Sequence, residues 1–415
     1  MAREWRDMEW GDLATLQYGK GLRGYENASG RYRVFGTNGP IGWHDEALSD
    51  HPTVVVGRKG AYRGIHYSSE PCFVIDTAFY LEPRVEFDMR WAYYELLTHD
   101  INSMDSGSAI PSTSRDAFYR LPIRVPVDLG EQRAIAHILG SLDDKIELSR
   151  RMNETLEGIA RAIFKSWFVD FDPVRAKAEG RDPGLPKPLA ALFPDRFVAS
   201  DLGDIPERWN VITIGEACVV VDCLHSKKPQ RQESGPFLLQ LWNIRDDGLL
   251  DMRDPYCIDE GDYDLWVSRM EASPGDCVIT NVGRVGAAAQ VPSGMKAALG
   301  RNMTGLRCRP EFRYPTFLIQ CLLSDAMRDE IALRTDSGTI LDSLNVRNIP
   351  KLRCVKADDM VMGSLESGLR PIRSRMEQCL VEARTLAAVR DAVLPKLISG
   401  ELPLGDAERL IDSAV

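Results

Sequence analysis

The chain has 415 residues, enough for two or three domains with cores of their own. Hydrophobic content of 44% and charged content of 27% are ordinary for a soluble globular protein. A formal net charge of −10 argues against nonspecific coating of nucleic acid, although a local cationic patch is sufficient for a specific reader.

The opening MAREWRDMEW carries acids where a signal peptide needs an apolar core, and no apolar run approaches a membrane span. Nine cysteines without a CxxC pair fit reduced thiols, so the expected compartment is the cytoplasm. Residues 1–127 form a first block of short apolar runs between Gly-rich turns. TVVVG (53–57), CFVIDTAFYL (72–81) and LPIRVPV (121–127) read as strands, and 89–101 reads as a helix. The loop Gly57-Arg58-Lys59-Gly60-Ala61-Tyr62-Arg63-Gly64 follows a strand directly. Its glycines permit close backbone approach, its cations suit phosphate and its tyrosine suits stacking. Alone, such a loop reads as a tight solvated turn.

Glu131 to Phe171 contains no proline, and its only breakers are Gly140 and Gly158. Leu142, Ile146, Ser149, Asn153, Leu156, Ala160, Ile163 and Trp167 alternate at spacings of four and three, the repeat of a seam made for another helix. Asp172-Pro173 is expected to close it. Residues 172–197 hold five prolines and two glycines and read as a connector outside any core.

A second block then echoes the first. Trp209 and Gly215 repeat Trp5 and Gly11, and Lys227-Lys228-Pro229 stands where Gly19-Lys20-Gly21 stood. CVITNVGRVG (277–286) repeats VVVGRKGAYRG, and SGTILDSLNVRNIPKLRCV (337–355) repeats SGSAIPSTSRDAFYRLPIRV. The interval from Gly215 to Gly338 is longer than that from Gly11 to Gly107. A second heptad segment follows, with Ile372, Met376, Cys379, Ala383, Leu386, Arg390, Val393 and Leu397 in phase with the first seam. It ends at Gly400, and the tail from Glu401 reads as solvated.

Catalytic constellations are not found. Gly19-Lys20-Gly21 lacks the rest of a phosphate-binding loop, and Asp254-Pro255-Tyr256 has one proline where an amino-methyltransferase motif needs two. The six histidines, including His225, have no ligand partners at metal spacing. The chain reads as a binder.

LPIRVPVDLGEQRAIAHILGSLDDKIEL, LEGIARAIFKSWFVDFDPVRAKAEG, LGDIPERW and LPKLISGEL, in that order, resemble the DNA-specificity (S) subunit of type I restriction–modification systems. The resemblance implies an α+β chain with two similar mixed α/β target-recognition domains. Two long α-helices would join them as an antiparallel, coiled-coil-like spacer, an internal pseudo-two-fold repeat. The expected layout is recognition domain 1–127, helix 128–171, linker 172–199, recognition domain 200–356, helix 357–400 and tail 401–415. It also implies a non-catalytic subunit whose partners are double-stranded DNA, two modification (methyltransferase) subunits and restriction subunits. S-adenosylmethionine and ATP/Mg are then expected on the partners and none in this chain. A self-sufficient methyltransferase or nuclease and a coiled-coil scaffold without DNA affinity are the competing classes.

The candidate DNA-contacting residues are Lys20, Arg23, Arg58, Lys59 and Arg63 in block one, and Lys227, Lys228 and Arg284 in block two. Their recurrence after duplication favours a role beyond a solvated turn. Candidates for the helix pair or a partner interface are Leu142, Ile146, Leu156, Ile163, Phe164, Trp167, Phe168, Ile372, Met376, Leu386, Val393 and Leu397. For the run Phe164, Trp167, Phe168 and Phe171 an internal seam is favoured over a docking surface for a modification subunit.

Overall fold

A computed structural model describes residues 4–25, 29–104, 111–336 and 342–414. The turn residues Gly107–Ile110 and their counterparts 338–341 lie outside the described residues. Two compact units emerge, one built from 1–148 and 382–415, the other from 149–381. The divisions fall inside the two long helices, Leu129–Phe168 and Asp359–Ile398, so each unit owns half of each helix.

The first unit opens with β1 (Trp5–Glu9), which pairs antiparallel with β9 (Pro122–Pro126). Between them β2 (Ala14–Tyr18), β8 (Ala78–Pro83), β5 (Thr53–Gly57) and β6 (Ile65–Ser68) form an antiparallel sheet in that spatial order. A second sheet has the order β4 (Gly39–His44), β3 (Tyr32–Gly36), β7 (Cys72–Val74), with β3 and β7 parallel. The run 72–81 therefore makes two strands rather than one, broken by the turn at Ile75–Thr77. TVVVG is buried at every position, because β5 lies inside its sheet and both its faces are covered.

The first half of one long helix meets the second half of the other in this core. Leu142, Leu386, Val393 and Leu397 are buried in a cluster with Trp10, Trp91 and Phe79, and Ile146 packs against it. Arg390 occupies a seam position yet is half-buried, because Asp143 accepts from its Nη1 at 2.6 Å. Gly140 is no breaker here. The helix runs through it, and a Cβ there would meet the Arg90 guanidinium at 2.4 Å. Arg90 Nη2 donates to the Gly140 carbonyl at 3.1 Å, so the glycine makes room for a side chain. Pro371 likewise lies within one uninterrupted helix. The tail is not solvated as expected: Leu404–Ala414 is helical, Ala407 is fully buried, and Leu402, Leu404 and Ile411 pack on the core.

The second unit follows the linker. The hairpin β10 (Phe197–Ser200) and β11 (Gly203–Pro206) precedes β12 (Asn210–Thr213) and β13 (Cys218–Asp222). Then come β14 (Gln232–Leu239), β15 (Glu271–Ala272), β16 (Cys277–Thr280), β17 (Ala288–Gln290), β18 (Ala297–Leu299) and β19 (Met303–Cys308). The short β20 (Thr335–Asp336) and β21 (Ser343–Leu344) lead to β22 (Arg353–Lys356), which pairs with β12. The sheet order β13-β19-β16-β17 repeats β2-β8-β5-β6, and β14 and β18 repeat the parallel pair β3 and β7. The third strands differ: β4 flanks β3, whereas β15 flanks β18. The extra length of this block lies between β14 and β16, where the helix Glu260–Trp266 and β15 are inserted.

The aromatic run is internal. Phe164, Trp167, Phe168 and Phe171 are buried, Phe168 stacks on Trp209 at 5.2 Å, and Phe164 lies 5.6 Å from Phe317. Met376 is buried, while Leu156, Ile163 and Ile372 are half-buried. The supposed connector joins this core. The first long helix ends at Phe168, Phe171 takes a left-handed φ of 56°, and Pro173 starts the helix Asp172–Ala178 instead of merely stopping the previous one. Val174 and Phe193 are buried, with Phe193 edge-on to Trp167 at 5.1 Å. Glu366 on the second long helix caps the helix Pro315–Leu323. Its carboxylate accepts from Thr316 N (3.0 Å), Phe317 N (3.2 Å) and Thr316 Oγ1 (2.8 Å). Among the described residues no helix is long and apolar enough to cross a membrane.

Candidate nucleic-acid interface

In the first unit the loop between β5 and β6 is held by its backbone and by one of its cations, Arg63. Arg58 N and Lys59 N donate to Thr77 O at 2.9 and 3.1 Å, and Thr113 N donates to Arg58 O at 2.9 Å. A Cβ on Gly57 would meet Arg63 Cα at 2.9 Å, so the two ends of the loop close only because no side chain stands there. The loop presents Tyr62 with 82% of its surface exposed.

Arg63 differs from expectation. It is 4% exposed, and its guanidinium donates to the carbonyls of Asn102 (2.7 Å), Ile101 (3.4 Å) and Gly60 (3.4 Å). A cation so enclosed shapes the loop and does not reach a phosphate. Arg58 is outward and lies 4.8 Å over the ring of Tyr18, with Nη1 donating to Asp76 O at 2.9 Å. Lys59 lies 3.8 Å from the Asp76 carboxylate at the same turn. Lys20 and Arg23 are exposed in the loop after β2, and Lys20 N donates to Val74 O at 2.9 Å, one residue before that turn begins. Lys20, Arg58 and Lys59 thus meet the 74–77 turn, and Arg23 is exposed three residues beyond Lys20.

Arg115 also approaches the Tyr18 ring, at 5.1 Å, with Nη2 donating to Tyr119 Oη at 2.9 Å. Tyr18 is 49% exposed with two guanidinium groups near its ring, an arrangement with both charge and a ring to offer. Sequence reasoning missed Arg115 and Tyr18. The repeat held a signal, for an arginine follows the helix N-cap in both blocks: Arg115 after Ser114, and Arg347 two places after Asn345.

The second unit places its candidates in the matching loops, with different surroundings. Lys227 and Lys228 are exposed between β13 and β14. Lys228 Nζ lies 4.0 Å from the ring of Tyr256 and 5.1 Å from that of Trp242, which is 50% exposed. Desolvation against these rings, with Arg231 nearby, lowers the Lys228 pKa. Arg231 faces Tyr256 and pairs with Asp254. Arg284, between β16 and β17, is half-exposed, but its guanidinium pairs with Asp246 and donates to Ile244 O at 2.5 Å. Its charge is answered within the unit by a carboxylate, whereas Arg58 meets a backbone carbonyl and a ring. Asp246 belongs to a turn that Arg161 and Arg373 also hold, Arg373 from a buried position donating to Gly248 O at 2.9 Å.

One histidine lies in a group that the sequence reading did not pick out. His225 Nε2 lies 2.8 Å from Asp222 Oδ2, and Cys223 completes a group with all three ligand-type atoms within 4.8 Å of one another. The spacing Asp-Cys-x-His was visible, yet it matches no common metal motif.

Residues 2–158 match the family described as the type I restriction modification DNA specificity domain. The chain is 25% identical over 343 residues to the type I restriction enzyme HindI specificity subunit of Haemophilus influenzae, covering 70% of this chain and 71% of that protein. It is 24% identical over 314 residues to the MjaIX specificity subunit of Methanocaldococcus jannaschii, covering 73% of this chain and 65% of the relative. In fold it is similar to the type I restriction–modification S subunit from M. genitalium, at a TM-score of 0.66 and 17% identity over 96% of each chain. The relatives and the solved structure matched here are type I specificity subunits. The chain resembles that class in sequence over about seven-tenths of its length and in fold over nearly all of it.

Proposed function

We propose that this chain is the non-catalytic DNA-specificity subunit of a type I restriction–modification complex. Each unit reads one half of a bipartite, asymmetric DNA target. The paired long helices set the gap between the half-sites and dock two methyltransferase subunits, and restriction subunits join the same complex. S-adenosylmethionine and ATP/Mg act on those partners. The observation that carries the reading is the repetition of one scaffold with two unlike surfaces. The sheet order recurs, and each unit sets a cation beside an exposed ring, Arg58 by Tyr18 and Lys228 by Trp242, on loops that do not correspond. The neighbours of those cations are not the same. Cationic side chains beside stacking rings are suited to backbone and base contact.

The test exchanges residues 1–127 for the matching block of a related specificity subunit and maps methylation in a host carrying the complete system. One half of the methylated sequence is expected to change while the other stays. A change in both halves, or in neither, overturns the two-reader assignment.

A further inference from the structure

We propose that Asp222, Cys223 and His225 form a binding site for a single divalent zinc ion at the end of β13. Three donor types meet there from one short segment: a carboxylate, a thiol and an imidazole, mutually within 4.8 Å. A mixed oxygen, sulfur and nitrogen set is the chemistry that zinc accepts, with water filling a fourth position. One further feature points to a ligand. Asp222 Oδ1 is buried and has no hydrogen-bond partner among the described residues, while Oδ2 is engaged by His225. A buried carboxylate oxygen in that state carries a cost that a cation would remove.

The Cys223 thiol is 2% exposed. Zinc would displace its proton, so that a Zn–S bond forms as the S–H bond breaks and one proton leaves to water. The backbone around the group is already held. Arg269 donates to Cys223 O at 3.0 Å, Cys223 N donates to Met303 O at 3.2 Å, and Arg301 Nε donates to Ser226 O at 2.8 Å. An ion there would join the strand end to the root of the loop that carries Lys227 and Lys228. The site stands apart from the DNA reading, since metal binding is measured without DNA.

Cobalt(II) is the probe, because thiolate ligation produces a near-ultraviolet charge-transfer band. The untagged full-length chain, stripped with a chelator, is titrated with cobalt chloride and then with zinc chloride. The expected result is a band that saturates at one equivalent and is displaced by zinc. It is lost in Cys223→Ser, and the affinity falls about tenfold or more in His225→Ala. His225 is exposed, so this variant keeps the fold, and far-ultraviolet circular dichroism checks both proteins. Absence of a saturable band overturns the proposal. So does a band that survives unchanged in His225→Ala, which would assign the metal to the other cysteines.

Discussion

Removing the two arginines that lie against Tyr18 tests the first unit most directly. Arg58 and Arg115 lie 4.8 and 5.1 Å from that ring, and Arg58 also donates to Asp76 O. Each cation–π contact at such an exposed site is worth about 0.5–1 kcal/mol, so Arg58→Ala with Arg115→Ala leaves the unit folded. If each guanidinium neutralises one phosphate, the slope of log affinity against log salt loses about 0.9 per arginine, or about 1.8 for both. From about 50 to about 200 mM salt, a fourfold increase, the ratio of wild-type to variant affinity then falls about twelvefold. Fluorescence anisotropy of the assembled complex on a target duplex, at several salt concentrations, measures the slope. The paired substitution to lysine is the control: it keeps the charge and hence the slope, and loses affinity only where the planar fork reads a base edge. Parallel slopes for wild type and the alanine variant would refute the phosphate-contact reasoning and leave these arginines as surface decoration around Tyr18.

Arg63→Met is expected to lower stability by about 1.5–3 kcal/mol through loss of charged hydrogen bonds to the carbonyls of 60, 101 and 102, with no change in salt slope. Denaturant unfolding and the same anisotropy series check both halves; a reduced slope would return Arg63 to the DNA face. Glu366→Gln should cost about 1.5–3 kcal/mol by removing charge from the start of the helix Pro315–Leu323. A cycle with Thr316→Val should show coupling between the two positions, and simple additivity counts against the cap. Inserting one heptad after Ser149 and one after Cys379 keeps the seam in phase and lengthens each helix by about 10 Å. The methylated gap should grow by about three base pairs at about 3.4 Å each, with both half-sequences kept. An unchanged gap would mean that the helices are not the ruler.

The helical seam was legible because its code is one-dimensional. A spacing of three and four selects one face, and every position on both seams proves buried or half-buried. The matching loops were legible for a related reason: duplication leaves strand, turn and cation in the same order. What could not be read was the direction of a side chain within such a loop. Arg58 and Arg63 look alike in sequence, yet Arg63 turns inward because carbonyls at Ile101 and Asn102 wait for it, nearly forty residues on. The ring cluster around Lys228 is likewise assembled from Trp242 and Tyr256, each on a later segment. The linker was misread because proline was taken only as a breaker, whereas Pro173 opens a helix and Phe193 completes an aromatic core.

Duplication has kept the positions that folding constrains and released those that face outward. A Cβ on Gly11 would meet Tyr119 at 3.1 Å, and one on Gly215 would meet Pro350 at 3.0 Å, so both copies need the same close approach. The strands that follow are equal in length, Ala14–Tyr18 and Cys218–Asp222, and occupy the same edge of their sheets. At their ends the copies part. Tyr18 becomes a platform for two arginines, while Asp222 turns to His225 and Cys223. Because the supporting hydrogen bonds and core contacts lie behind these strand ends, either surface is free to change without unfolding its sheet. A shared scaffold with separately variable faces is what the proposed pair of readers requires, and under that proposal the difference between the copies, more than their likeness, bears on what each unit would recognise.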